Sequence, residues 1–338
     1  MHAIRQYEFG PAGVLRHEQV PDPQPGPGQL RIAVQASGVH LVDTKIRAGE
    51  AGGPFPLPEL PMTPGREVAG RVDAVGPGVD EAWIGRRVVV HLGMASGGYA
   101  ELAVAAADAV HEIPGTLTSA TAVAMIGTGR TTLAILEAGP PSADDVVVVP
   151  AAAGGIGNLL VQAARDAGAT VVGLAGGAGK VARVRELGAT IALDYDDPGW
   201  AEQARQRLAG RPATLVHDGV GGAVGRAALE LLGPRGRLVL FGWSAGTATA
   251  LDATDVIGRG ITVTGAIGPR VLAGPGGVGG LRAWETAALD AAAAGRLRPL
   301  VGSPFPLARA ADAHDALASR ATVGKTVLVP EGRASARP

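Results

Sequence analysis

The chain has 338 residues, of which 46% are hydrophobic, and its formal net charge at pH 7 is −1. This length predicts two domains of ordinary size. The balanced charge excludes the basic surface that would attract nucleic acid or an anionic membrane. Because the sequence contains no cysteine, disulfides, thiolate zinc sites and cysteine nucleophiles are excluded. The sequence shows no signal-peptide profile and no apolar run of membrane-spanning length, so a cytoplasmic protein is expected.

The first third of the chain is predicted to be mostly β-strand. Apolar runs at residues 14–20, 30–36, 68–75 and 86–92 are separated by clusters rich in glycine and proline. Many short strands joined by such turns are typical of a barrel-like β domain. One short helix is predicted at residues 41–47.

From residue 119 onward, helices and strands alternate in the pattern of an α/β protein. A helix at residues 119–138 precedes a series of six predicted strands. Alternation at this spacing predicts a parallel sheet with helices on both faces, the doubly wound dinucleotide-binding fold. The tail from about residue 267 is expected to return to the first domain. The predicted strands lie at 146–149, 170–174, 191–194, 214–217, 237–241 and 261–265, and the helices between them at 158–167, 180–187, 200–208 and 224–232.

The most informative stretch is a strand that runs directly into a loop of small residues. Residues 146–149 are four valines, and residues 150–157 read PAAAGGIG before a helical pattern begins. A strand, a tight glycine turn and a helix present backbone N–H groups and the positive helix end to a diphosphate. Gly154 permits close approach of a phosphate, and Gly157 permits close packing of helix on strand. The alternative interpretation is a purely structural turn.

A second glycine-rich stretch, at residues 274–279, fits the G-x-G-x-x-G pattern more strictly. That fingerprint binds dinucleotides only where the loop directly follows a strand and begins a βαβ unit. Because residues 268–273 separate the stretch from its strand, we interpret it as a surface loop.

The residues after the next strand indicate which dinucleotide binds. Chains that bind NAD usually carry an acid about 20 residues past the loop for the ribose 2′-hydroxyl. Here the strand ends in Ala175, Gly176 and Gly177, without a carboxylate, and Lys180 follows on the next helix. A missing acid with a nearby base predicts a 2′-phosphate, and hence NADPH over NADH. The alternative is that Lys180 lies only on the solvated face of its helix.

Residues 64–76 read PGREVAGRVDAVG and resemble the G-H-E-x-x-G-x-V segment of medium-chain alcohol dehydrogenases. In that family the histidine is a catalytic zinc ligand, and Arg66 replaces it here. A second ligand segment of the family, of the Cys-Gly-Val-Cys type, corresponds to Ser37-Gly38-Val39-His40. Without cysteine, neither zinc site of the family can form. These residues argue against a zinc alcohol dehydrogenase.

Nearly the whole chain resembles the zinc-independent, zeta-crystallin-like quinone oxidoreductase branch of the medium-chain dehydrogenase/reductase superfamily. The resemblance implies a GroES-like β-rich catalytic domain of residues 1–125 and 267–338. It also implies a Rossmann domain of residues 126–266 with a six-stranded parallel sheet. A homodimer that pairs the strand at 261–265 across its axis is implied as well. The matching segments are 37–49, 64–76, 151–157, 218–221, 241–244, 319–320 and 324–328.

The resemblance assigns cofactor-binding roles to individual residues. Thr131 is a helix residue that reaches the cofactor, Phe241 and Gly242 form the strand end beside the nicotinamide, and Arg320 reaches NADPH from the tail. For Arg320 the alternative is an ordinary surface charge, and for Tyr195 a partly buried loop aromatic. The implied diphosphate residues are Ala153, Gly154, Gly155, Ile156 and Gly157, and the implied 2′-phosphate residues are Gly176, Lys180 and Tyr195.

Two positions depart from the family, which often has asparagine and then tyrosine where this chain has His40 and Lys45. They are the candidate catalytic residues. In the family geometry His40 would lie near the nicotinamide and the substrate carbonyl, where it could donate a hydrogen bond or a proton. The alternative is a pocket-lining residue without a catalytic role. Asp43 and Arg47 are interpreted as structural.

These observations predict hydride transfer from NADPH to a quinone or an α,β-unsaturated carbonyl compound, without a metal ion. The cofactor would supply the difficult chemistry, and the protein would supply orientation and hydrogen bonds. The alternative function is an NADPH-binding, redox-responsive or structural protein with little turnover.

Overall fold

The computed structural model describes residues 1–50 and 57–331. The chain divides into two compact units. The first comprises residues 1–127 and the chain from Val301 onward, and the second comprises Thr128–Leu300.

Strands dominate the first unit, and strands and helices alternate in the second. The strands are β1 (His2–Gln6), β2 (Leu15–Gln19), β3 (Gln29–Val39), β4 (Glu67–Val75), β5 (Arg87–His91), β6 (Leu102–Ala106), β7 (His111–Glu112), β8 (Val146–Val149), β9 (Thr170–Ala175), β10 (Ile191–Asp194), β11 (Ala213–Asp218), β12 (Leu232–Leu240), β13 (Thr262–Gly265), β14 (Phe305–Pro306) and β15 (Thr326–Val329). The α-helices are α1 (Leu41–Ala48), α2 (Ser119–Ala124), α3 (Arg130–Ala138), α4 (Gly157–Asp166), α5 (Ala178–Glu186), α6 (Trp200–Arg207), α7 (Gly222–Leu231), α8 (Ala253–Arg259), α9 (Pro269–Ala273), α10 (Gly280–Ala293) and α11 (Ala310–Ala318).

The first unit is built on a seven-stranded sheet in the order β14-β15-β3-β4-β5-β7, with β6 also paired to β3. The long strand β3 is its centre, and alternate residues such as Leu30 and Ile32 are fully buried in the core. The last residues of β3 pair with the start of β15 on one side and with the start of β4 on the other. This register places side chains that are distant in sequence around the carboxyl end of β3.

The second unit contains the predicted six-stranded parallel sheet, in the order β10-β9-β8-β11-β12-β13. This is the doubly wound order, with β8 as its first strand. All four valines of β8 are at most 1% exposed, as expected for a strand that is covered on both faces. Because the strands are parallel, their carboxyl ends meet at one edge of the sheet.

Two features differ from the sequence-based expectations. The helix predicted at residues 119–138 is interrupted between α2 and α3 by a π-helical turn, Met125–Gly129. Residues 267–300 lie in the second unit, whereas the expected boundary was at residue 267. Trp284 of α10 packs against Ala134 of α3, and Arg130 forms an ion pair with Glu285. These contacts attach α10 to α3.

The strict G-x-G-x-x-G stretch at residues 274–279 lies between α9 and α10, away from the end of any strand. Val278 within it is 74% exposed, as expected of a surface loop. None of the helices in the described part of the chain combines the length and the apolar character needed to cross a bilayer.

Candidate functional site

A tight turn joins β8 to α4 at the carboxyl edge of the parallel sheet. Its backbone closes through a hydrogen bond from the Gly154 N–H to the Ala151 carbonyl, at 2.9 Å. A Cβ at Gly157 would lie 2.8 Å from Cα of Ala152 and would overlap the Ala151 carbonyl oxygen. Only glycine therefore lets α4 start this close to the strand end, which is the role that the sequence predicts for Gly157.

Asn158 fixes this turn from the buried side of α4. Its side chain is fully buried, and Nδ2 donates to the carbonyls of Gly154 and Gly155, both at 2.7 Å. Its Oδ1 accepts a hydrogen bond from the Leu300 N–H at 3.0 Å. Sequence reasoning missed Asn158. The available signal was an asparagine at the start of a helix in an otherwise apolar run, where asparagine is unfavourable unless its amide is used.

The ends of β9 and β10 bring Gly176 together with Tyr195, as the sequence predicts for two residues of one subsite. A Cβ at Gly176 would lie 3.1 Å from Cε2 of Tyr195 and 2.6 Å from Oδ2 of Asp196. A side chain at this position would therefore have to displace the Asp196 carboxylate. Asp196 places a carboxylate beside the strand end at which sequence reasoning found none. It was missed because it follows a neighbouring strand.

The ends of β11 and β12 are interlocked. The Phe241 N–H donates to the Asp218 carbonyl at 2.9 Å, and a Cβ at Gly219 would overlap the Phe241 ring. A Cβ at Gly242 would lie 3.2 Å from the Gly219 carbonyl oxygen. The fully buried Asp218 carboxylate accepts the N–H of Val220 at 2.8 Å, which orders the loop. Phe241 and Gly242 therefore sit in a fixed backbone at the same sheet edge as the glycine turn.

Three other predicted residues lie on or beside helices. Lys180 is half-buried in the first turn of α5, and Thr131 is half-buried in the first turn of α3. Arg320 belongs to the first unit, where it is exposed just after α11 with a left-handed φ of 58°. The structure thus gathers the glycine turn, Gly176, Tyr195, Phe241 and Gly242 at one edge, and the roles of all these residues stay predictions.

The first unit contains a buried ion cluster of His40, Glu67 and Lys325. His40 Nε2 lies 2.7 Å from Oε1 of Glu67, and Lys325 Nζ lies 2.8 Å from Oε2. Lys325 Nζ is also 2.9 Å from His40 Nε2. The Glu67 side chain is 0% exposed and that of Lys325 is 4% exposed, whereas that of His40 is 24% exposed. His40 is therefore the member of the ion cluster that a ligand can reach.

Strand register and two glycines create the ion cluster. Gly38 in β3 pairs with Val327 of β15, and its neighbour Ser37 pairs with Val68 of β4. A Cβ at Gly38 would overlap Oε2 of Glu67, and a Cβ at Gly127 would overlap Oε1. Gly127 lies in the π-helical turn, so the interruption of the predicted helix lets the backbone pass directly over the carboxylate.

The electrostatics of the ion cluster favour charged Glu67. Burial alone raises the pKa of Glu67, but His40 and Lys325 outweigh it and hold that pKa well below its usual value. His40 Nε2 can donate to this carboxylate or accept from the Lys325 ammonium, but one nitrogen cannot do both at once. His40 Nε2 thus lies within hydrogen-bonding distance of both a buried carboxylate and a buried ammonium group.

Lys45 lies apart from the ion cluster. Its Nζ pairs with Glu50 at 2.7 Å, and the two side chains are 48% and 57% exposed. The structure does not bring the two candidate catalytic residues together at one buried centre.

A second buried network supports the start of α1. Asp43 Oδ2 accepts the His40 N–H at 2.8 Å, and Oδ1 accepts from Arg66 Nη2 at 3.2 Å. Tyr99 connects the Asp43 carboxylate, at 3.3 Å, to the ring of His314, at 3.1 Å. Burial raises the pKa of Asp43, but His40 and Arg66 outweigh it and lower that pKa. Arg66 thus neutralises a carboxylate at the helix start that orients the His40 backbone.

We predict that Lys325→Met lowers the free energy of unfolding by about 3–5 kcal/mol at neutral pH, because it leaves Glu67 incompletely paired. The native pKa of Glu67 lies below its unfolded value, so the ion cluster stabilises the fold above the unfolded pKa. That stabilisation is lost as the pH falls through the native pKa. The difference in unfolding free energy between wild type and variant should therefore become smaller in acid. Urea unfolding at a series of pH values would measure it.

The matched control is Lys45→Met, which removes a lysine from an exposed ion pair. Its unfolding free energy should stay close to that of the wild type at every pH. A Lys325→Met protein as stable as the control at neutral pH would contradict the role assigned to the ion cluster.

Comparisons with known proteins agree with this architecture. Residues 26–115 match the alcohol dehydrogenase GroES-like domain, and residues 155–275 match the zinc-binding dehydrogenase family. A 2-haloacrylate reductase from a Burkholderia species is 31% identical over 98% of this chain and 99% of its own. A quinone oxidoreductase from Pseudomonas aeruginosa is 31% identical over 95% of this chain and 97% of its own. A mycobacterial protein solved in complex with NADPH is 36% identical and has a TM-score of 0.82, covering 98% of this chain and 100% of that chain. The chain therefore belongs to the quinone oxidoreductase branch of the medium-chain dehydrogenase/reductase superfamily and is an oxidoreductase with GroES-like and Rossmann domains.

Proposed function

We propose that the protein binds NADPH and transfers hydride from it to a quinone or an α,β-unsaturated carbonyl compound, without a metal ion. The observation that carries the proposal is the glycine turn between β8 and α4. Its backbone is free of side-chain bulk at Gly154 and Gly157, and Asn158 holds it in place from the buried side. The mycobacterial relative with the same fold was solved with NADPH.

Residues at the carboxyl edge of the parallel sheet would hold the dinucleotide. Residues 153–157 would bind the diphosphate, and Gly176, Lys180 and Tyr195 would surround the adenosine ribose and its 2′-phosphate. Phe241 and Gly242 would lie beside the nicotinamide, with a further contact from Thr131, and the cofactor-binding role of Arg320 stays a prediction. When bound, the reduced nicotinamide supplies the hydride, so the protein needs no redox group of its own.

The relatives indicate an electron-poor acceptor. One relative is named a quinone oxidoreductase, and another is named a reductase of 2-haloacrylate, which is an unsaturated carboxylate. In both compounds a carbon–carbon double bond is conjugated to a carbonyl group, so addition of hydride develops negative charge on oxygen. A hydrogen-bond donor at that oxygen stabilises the transition state.

We assign the role of this hydrogen-bond donor to His40. It is the partly exposed member of the ion cluster, and Glu67 and Lys325 hold its Nε2 at 2.7 Å and 2.9 Å. When Nε2 accepts from the Lys325 ammonium, the imidazole carries its proton on Nδ1. Nδ1 would give this proton to the substrate oxygen while Lys325 protonates Nε2, so the pair would act as a general acid. Lys45, exposed beside Glu50, stays a prediction that this assignment does not require.

Metal independence rests on the side chains present. The chain has no cysteine, and Arg66 stands where the related zinc enzymes have a histidine ligand. Across residues 1–50 and 57–331, no three His, Cys, Asp or Glu side chains are grouped as a metal site requires. The Arg66 guanidinium instead pairs with Asp43 at 3.2 Å. Metal analysis of the active protein would test this part of the proposal.

The test is the oxidation of NADPH by the purified protein with a panel of acceptors that comprises quinones, enones and 2-haloacrylate. We expect turnover with at least one member. His40→Gln should lower kcat by roughly 100-fold while leaving the Kd for NADPH nearly unchanged, because the donor acts on the substrate oxygen. His17→Gln, a histidine stacked on His2 away from the ion cluster, is the control and should keep full activity.

Tight NADPH binding without turnover on any acceptor would favour the alternative function, a redox-responsive or structural binder. An unchanged kcat in His40→Gln would remove His40 from the reaction while leaving the oxidoreductase assignment intact.

We also propose a homodimer. Strand β13 is the last strand of the parallel sheet, and within the described part of the chain it pairs only with β12. An uncovered edge of this kind invites pairing with a second chain, and Ile257 on the adjacent α8 is 80% exposed. Light scattering during size-exclusion chromatography should give the mass of two chains, and a stable monomer at micromolar concentration would contradict the proposal.

A further inference from the structure

Three carboxylates lie at the end of β10 and just after it, at Asp194, Asp196 and Asp197, and two of them accept hydrogen bonds that hold the local structure. Asp194 Oδ1 accepts the N–H groups of Gly177 and Asp196, both at 3.0 Å. Asp197 accepts the Gly199 N–H at 2.8 Å and Gln203 Nε2 at 2.8 Å. Both side chains therefore have a structural explanation.

Asp196 is different. Among the described residues, no group donates a hydrogen bond or forms an ion pair with its carboxylate. Its Oδ2 lies 2.6 Å from the position that a Cβ would take at Gly176. The carboxylate thus faces the end of β9, and its loop is held there by Asp194.

The end of β9 is where a doubly wound domain distinguishes the two nicotinamide dinucleotides. An acid at this point accepts a hydrogen bond from the ribose 2′-hydroxyl of NADH, and a basic residue accommodates the 2′-phosphate of NADPH. This chain has one of each near Gly176. Lys180 lies in the first turn of α5, and Asp196 comes from the loop after β10.

We propose that Asp196 is a specificity-determining residue. Its carboxylate would repel the 2′-phosphate of NADPH and would accept a hydrogen bond from the ribose 2′-hydroxyl of NADH. The protein therefore uses both dinucleotides, and its preference for NADPH is smaller than Lys180 alone would give. The inference rests on the proposed function, because it concerns the adenosine end of the same dinucleotide site.

The test is the Kd of the full-length protein for NADPH and for NADH, measured by nucleotide fluorescence or calorimetry without substrate. Asp196→Asn removes the charge and keeps the size of the side chain. Because two like charges a few ångströms apart repel appreciably even near a protein surface, NADPH should bind about tenfold more tightly to this variant. NADH should bind about threefold more weakly, since a charged acceptor makes the stronger hydrogen bond.

Asp197→Asn is the matched control, because it removes one charge from the same exposed loop. It should leave the ratio of the two Kd values within about twofold of the wild type. An unchanged ratio in Asp196→Asn, or equal shifts in both variants, would overturn the role of Asp196 while the proposed function stands. A wild-type protein that binds neither dinucleotide would overturn the proposed function itself.

Discussion

The carboxylate of Glu67 is completely buried, and the centre of the first unit is arranged around it. A charge without access to water is tolerated only when it is paired, and here Lys325 and His40 provide the pairing within 2.8 Å. Lys325 can reach Glu67 because the start of β15 pairs with the end of β3. Positions 38 and 127 are glycine because a Cβ at either position would overlap the Glu67 carboxylate. The same two charged side chains contact His40 Nε2, and the proposed role of His40 depends on these contacts.

The second unit meets a different constraint, the close approach of backbone to backbone at the turn after β8, where we propose that the diphosphate of NADPH binds. It does so with small residues: Gly157 lets α4 begin against the end of β8, and Asn158 ties the carbonyls of the turn to the helix. The loops at the ends of the other strands are likewise held by buried or capping carboxylates, Asp218 and Asp194. Asp196 alone among these acids has no such structural use, which is why a role in nucleotide selectivity follows from its position.

The sequence predicted the parts of the structure that depend on local pattern. The six parallel strands, the turn after β8 and the helix at α1 were all evident from periodicity and glycine placement. Contacts that depend on strand register were not evident from the sequence. Lys325 meets Glu67 only because β15 and β4 flank β3, and Asp196 reaches Gly176 only because β10 pairs with β9. A search along the chain for an acid after β9 could not find one on the next strand.

The interruption of the long predicted helix had a similar cause. Residues 119–138 have continuous helical character, but Gly127 must pass over the Glu67 carboxylate, and a π-helical turn results. Residues 267–300 were expected in the first domain with the rest of the tail, but they belong to the second unit. Their contacts with α3, made by Trp284 and Glu285, leave no periodic signal in the sequence.

The central claim is that this oxidoreductase moves hydride from NADPH to carbon of a conjugated acceptor. NADPH that carries deuterium at the transferable position, prepared on each face of the nicotinamide in turn, tests it most directly with an enone as substrate. We predict that one of the two labelled cofactors gives a reduced product with deuterium bound to the β-carbon, seen by mass spectrometry. A reduced product without deuterium from either cofactor would contradict the account.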